Sequence, residues 1–90
     1  MDIKLHNVQV LKITKRTGEP TANGETTEFL TFNVLDGLTT RYLWAFAKDF
    51  DNLPTAGDFC TFDVYVSAKQ NKENPTRPKL TLRAKSYTAL

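Results

Sequence analysis

Apolar residues recur at every second position through several short runs of this chain, and that period belongs to β-strands, whose side chains alternate between two faces. The cleanest run is FCTFDVYVSA, residues 59 to 68: Cys60, Phe62, Val64 and Val66 form an oily row, while Phe59, Thr61, Asp63, Tyr65 and Ser67 form a mixed one. FLTFNVL, residues 29 to 35, sets Leu30, Phe32 and Val34 against Phe29, Thr31, Asn33 and Leu35. LTLRAKSY, residues 80 to 87, sets Leu80, Leu82 and Ala84 inward against Thr81, Arg83 and Lys85 outward. In the first run, residues 3 to 14, the apolar phase slips between Val8, Val10 and Leu11, Ile13. A β-bulge or strong bend in a long strand produces such a slip.

The third run, TRYLWAFAK at residues 40 to 48, is different because both of its sides are apolar. Tyr42, Trp44 and Phe46 fall on one side, and Leu43, Ala45 and Ala47 fall with Arg41 on the other. A half-solvated strand alternates oily with polar, so either this strand is covered on both faces or one aromatic row serves a ligand or partner. In a barrel only one face of a strand points inward.

Between the runs lie turn-forming segments. KRTGEPTANGETTE, residues 15 to 28, reads as a polar loop, and Asp36-Gly37 as a hairpin turn. DFDNLPTAGD, residues 49 to 58, holds the one short helix or helical turn, ended by Pro54 and Gly57. KQNKENPTRPK, residues 69 to 79, is a long basic hairpin loop: a flexible arm closing over a ligand, or a plain solvated hairpin. The expected fold is therefore all-β: five strands, the first long and bent, with a short helix or turn between strands 3 and 4. That is the order of the OB-fold, a five-stranded Greek-key barrel. A barrel of the SH3-like kind is the alternative, and the place of the long connection favours OB. Ninety residues suit one such domain, 1 to 90.

Cys60 is the only cysteine and His6 the only histidine, which removes an internal disulfide framework and a Cys/His zinc site. Cys60 reads as a small buried hydrophobe and His6 as a surface residue. There is no Ser/His/Asp or Cys/His set and no phosphate-cradling glycine loop, and Asp49, Asp51 and Asp58 read as turn and cap residues. Neither catalysis nor a cofactor is expected. The N-terminus lacks a signal-peptide core and no run approaches a membrane span, so a cytoplasmic protein without membrane association is expected.

Net charge is only +2, but its distribution is uneven. Residues 1 to 16 carry Lys4, Lys12, Lys15 and Arg16 against Asp2. Residues 17 to 63 hold eight acids against Arg41 and Lys48. Residues 64 to 90 carry Lys69, Lys72, Arg77, Lys79, Arg83 and Lys85 against Glu73. If the two basic ends meet in the fold they form one surface suited to a polyanion; otherwise they are ordinary solubilising charge.

RYLWAFAK as third strand, AGDFCTFDVYV leading into the fourth, and the basic KLTLRAKSY as the last make the sequence resemble bacterial and phage single-stranded DNA-binding proteins of the OB-fold type. The resemblance implies that the outer side of the third strand, with Tyr42, Trp44 and Phe46, contacts nucleic acid. Bacterial members end in an acidic tail, whereas this sequence stops at KSYTAL; the resemblance is thus to a compact phage or plasmid protein of DNA replication or recombination, working in the host cytoplasm.

Such a binder needs a positive groove for phosphates and flat rings for bases. Trp44 is the best platform, with Tyr42 and Phe46 about 7 Å away along a regular strand. Phe29 extends the surface from the neighbouring strand, and Tyr65 from the fourth. The cations are Lys12, Lys15 and Arg16 on one side and Lys69, Lys72, Arg77 and Lys79 on the other, with Arg83 and Lys85 between. The expected partner is single-stranded DNA, with RNA possible, bound with weak sequence preference. The competing reading is a β-barrel interaction module whose aromatic row is a homodimer or partner interface.

Overall fold

The computed structural model describes residues 1–69, 73 and 79–90. Five strands, β1 (Asp2–Thr17), β2 (Glu28–Asp36), β3 (Thr39–Phe46), β4 (Phe59–Lys69) and β5 (Lys79–Ala89), close a barrel in the order β1-β2-β3-β5-β4. Every neighbouring pair is antiparallel except β3 with β5, which run parallel. This is the OB-like barrel that the strand order implies. Among the described residues no helix is long and apolar enough to cross a membrane.

The period-two rows become the two faces of the wall. Leu30, Phe32 and Val34 of β2, Leu43 and Ala45 of β3, and Cys60, Phe62 and Val64 of β4 all point inward and are buried. Phe32 and Phe62 meet at 5.4 Å between ring centroids and fill the centre. Complete burial of such a side chain stabilises the fold by about 1.5–3 kcal/mol. No polar or charged side chain is buried among the described residues.

The phase slip in β1 is two irregularities. Opposite β2 the register shifts between Val10 and Lys12, leaving Leu11 as the extra, exposed residue. Opposite β4 it shifts between Leu5 and Val8, where Asn7 takes φ 52°. Asparagine tolerates that left-handed geometry better than most residues. These bends let one long strand pair with both β2 and β4. Strand β1 also runs past the expected loop boundary at residue 15, because β2 supplies partners as far as Arg16↔Phe29 and Thr17↔Glu28.

The β2–β3 hairpin closes with Asp36 opposite Thr39 and Gly37 at φ 64°, the only positive φ in that turn. A positive first central residue defines a type II′ turn, whose twist matches the flanking strands. The one helical segment between β3 and β4 is a single 3-10 turn, Ala47–Asp49, slightly earlier than the sequence suggests. It delivers Phe50 onto Phe32 at 5.4 Å and, nearly parallel, onto Tyr87 at 6.1 Å, which plugs one end of the barrel. Farther on, Asp58 Oδ2 accepts the Thr55 N–H at 2.9 Å, a turn role for that acid.

Leu80 departs from its expected place. It has the parity of inward-facing Leu82 and Ala84, yet it is 64% exposed. Among the described residues β3 and β5 share one bridge pair, Trp44↔Arg83, and before it their edges diverge, so nothing covers Leu80.

Candidate nucleic-acid interface

Register places the outward residues of β1, β2 and β3 in three rows across the wall. One runs Lys12, Asn33, Tyr42; the next Thr14, Thr31, Trp44; the last Arg16, Phe29, Phe46. The middle row continues through the Trp44↔Arg83 bridge to Tyr65, which pairs with Arg83 across β4 and β5. A cation therefore borders the aromatic face from β1 and another from β5, which are distant in sequence.

The rings do not stand apart at the strand repeat. Trp44 and Phe46 approach to 5.1 Å edge to face, and Phe29 leans on them at 6.4 and 5.7 Å. Such contacts contribute about 0.5–1.5 kcal/mol each beyond burial, so the cluster is held in place before any ligand arrives. All three rings are half-buried, whereas Tyr42 is 65% exposed and Tyr65 40% exposed. The close approach of Gly18 seats Phe29: a Cβ there would lie 2.9 Å from Phe29 Cε2.

Cations lie against these rings. Arg16 sits over Phe29 at 5.5 Å and Lys48 over Phe46 at 5.6 Å. Arg83 is shared, 5.7 Å from the ring centres of both Phe46 and Tyr65. Cation–π contacts of this kind contribute about 0.5–1 kcal/mol at exposed sites and leave the charge available to an anion. Among the described residues, none of Lys12, Arg16, Lys48 or Arg83 has a carboxylate at ion-pair distance.

Two other expected site cations, Lys15 and Lys85, are placed elsewhere. Lys15 pairs with buried, inward-facing Leu30, so its side chain belongs to the opposite face from Arg16, and it meets Glu28 at 3.1 Å. Lys85 is the extra residue where the β4–β5 register shifts, and it reaches Asp2 at 2.8 Å. That contact, through its hydrogen bond and then its charge, holds the Asp2 carboxyl below its ordinary value. Lys79 is exposed at the start of β5, beside the aromatic strand. Lys72 and Arg77 lie outside the described residues, as do the side chain of Lys69 and most of the basic loop from 69 to 79. Lys48 was missed; its signal was its place directly after the aromatic row.

Two hollows adjoin this face. One, of about 560 Å³, mixes Lys15 and Lys48 with Glu28 and Asp51 and so carries both signs of charge. The other, of about 410 Å³, lies where β3 and β5 diverge, between Thr31, Tyr42 and Trp44 on one side and Lys79, Leu80 and Leu82 on the other. Cys60, in contrast, is buried in the core and its thiol is pushed up by desolvation and then by Asp58.

No known protein family, curated protein or solved structure matches this chain.

Proposed function

We propose that this protein binds single-stranded DNA with little sequence preference, by stacking bases on the Phe29, Trp44, Phe46 and Tyr42 face while Arg16, Lys12, Lys48 and Arg83 meet phosphates. The observation that carries the reading is the outward aromatic cluster with cations laid against it that have no carboxylate at ion-pair distance among the described residues. Each stacked base contributes about 1–3 kcal/mol, and stacking with backbone charge carries little sequence information. Coating single strands during replication or recombination of a phage or plasmid is the role that the sequence resemblance suggests.

Trp44 is the only tryptophan, and so reports on its own site. Adding an oligothymidine quenches its fluorescence, and salt reverses the quench as counterions return to the strand. A matched oligouridine distinguishes DNA from RNA preference.

A second reading draws on the exposure of Tyr42 and Leu80 beside the same face, which also suits a protein or homodimer interface. On that reading oligothymidine leaves the emission unchanged and dilution shifts it.

A further inference from the structure

The cleft between β3 and β5 is built from two strand edges. Strand β3 pairs with β2 along its whole length and β5 pairs with β4 along its whole length. Their remaining edges, residues 40 to 43 and 79 to 82, face one another across the cleft and, among the described residues, join only at Trp44↔Arg83. Edges of this kind present backbone N–H and C=O groups that take partners from outside the sheet. The cleft's lining is mainly apolar, with buried Leu43, partly buried Leu82 and exposed Leu80, and Arg41, held by Asp36 at 3.0 Å, also lines it. Tyr42 and Trp44 form one wall, and Lys79 stands at the rim.

An occupant of this cleft is flat and apolar on its faces and carries donors and acceptors along its edge. It is also joined to an anion that Lys79 and Arg83 can meet. A nucleobase on its phosphate backbone has all of these properties. An added peptide strand fits less well, because the wedge closes at the bridge after about four residues, shorter than the usual strand of 5–6. Continuity decides the matter, since Trp44 and Tyr42 belong both to the cleft and to the stacking face.

We propose that the cleft receives one base of the bound strand, turned off the stacking face, and reads its hydrogen-bonding edge with the open backbone edges of β3 and β5. This rests on the nucleic-acid reading and adds a base preference at one position of a strand otherwise held without regard to sequence. Thr81, whose hydroxyl is 2.6 Å from that of Ser67, ties the β5 side of the cleft to β4.

The test compares equal-length oligothymidine, oligodeoxyadenosine and oligodeoxycytidine by fluorescence anisotropy, with the full chain and with Leu80→Phe. That variant fills the cleft from an exposed position. The expected result is discrimination among the homopolymers of about tenfold by the unaltered protein. In Leu80→Phe the preference falls to under about twofold, while affinity for the weakest homopolymer is unchanged. Amide signals of residues 41 to 43 and 80 to 82 shift when the favoured oligonucleotide is added to the unaltered protein. Equal affinity for all three homopolymers by the unaltered protein overturns the cleft proposal and leaves the binding function standing. So does a preference that survives Leu80→Phe, or absence of those amide shifts. A monomer–dimer equilibrium abolished by Leu80→Phe, with base preference intact, assigns the cleft to a second copy and overturns it too. No binding of any oligonucleotide overturns the function itself.

Discussion

Two outer faces of the same barrel carry cations and use them differently. Where β1, β4 and β5 meet, Lys85 reaches Asp2 at 2.8 Å, Lys4 lies 3.8 Å from Asp63, and the Ser86 hydroxyl donates to the same Asp63 at 3.0 Å. Charge is neutralised there, residue by residue. Across β2, β3 and the adjoining edge of β5, Arg16, Lys48 and Arg83 lie on rings instead, and among the described residues none of these three has a carboxylate at ion-pair distance, while the β2 acids Glu28 and Asp36 hold Lys15 and Arg41. The lesson is that net charge says little about a site; what matters is whether each cation's neighbour cancels it. Exposed ion pairs such as the first set contribute at most about 1 kcal/mol, so that face stabilises little and attracts little.

The comparison is sharpest at Trp44. Replacing it by alanine should reduce affinity for oligothymidine about tenfold to hundredfold, the loss of one stack. The far-UV circular dichroism should be unchanged, because Trp44 lies on the outer face and the core is elsewhere. Collapse of the fold in that variant would assign the ring a structural role. Next in size, Arg83→Ala should weaken binding by about tenfold and reduce the slope of log affinity against log salt by about 0.7. Lys85→Ala, two residues on, should change affinity less than about twofold, because that ammonium is already engaged by Asp2. An equal loss from both variants would erase the distinction between the faces.

Gly18→Ala should displace the Phe29 ring and destabilise the protein by about 1 kcal/mol in urea unfolding, with a loss of affinity under about threefold. The smallest effect concerns acid. Because Lys85 lowers the Asp2 pKa in the folded chain, ionised Asp2 favours folding above its ordinary unfolded value. That contribution is lost as pH falls through the lowered folded value. Urea midpoints measured between about pH 6 and pH 2 should therefore show a slightly shallower acid limb for Lys85→Ala than for the unaltered chain.

What could be read in advance follows from the range of the interaction. Alternation within a run is local, so the strands and the inward rows around Phe32 and Phe62 were legible; in the third run both sides are apolar, and the outward direction of Trp44 and inward direction of Leu43 came from the family resemblance. Partnership across the barrel is not local. The opposite fates of Lys15 and Arg16 follow from the β1 register beyond the Leu11 bulge, and the Lys85–Asp2 pair joins the two ends of the chain. The divergence of β3 from β5 left Leu80 exposed despite its alternation, because that parallel contact has no sequence signature of its own. The packing of Phe29, Trp44 and Phe46 into one cluster was likewise hidden, since strand spacing alone gives about 7 Å between successive outward residues.

On the proposed function the aromatic face of β2 and β3, and not the ion-paired face, meets nucleic acid. The most direct measurement is a titration of the isotopically labelled protein with oligothymidine, followed through its backbone amide signals. Shifts are expected at Phe29, Thr31, Asn33, Tyr42, Trp44, Phe46 and Arg83, with Lys4, Asp63 and Ser86 unmoved. Shifts confined to the second group, or none at saturating oligonucleotide and low salt, would contradict that proposal.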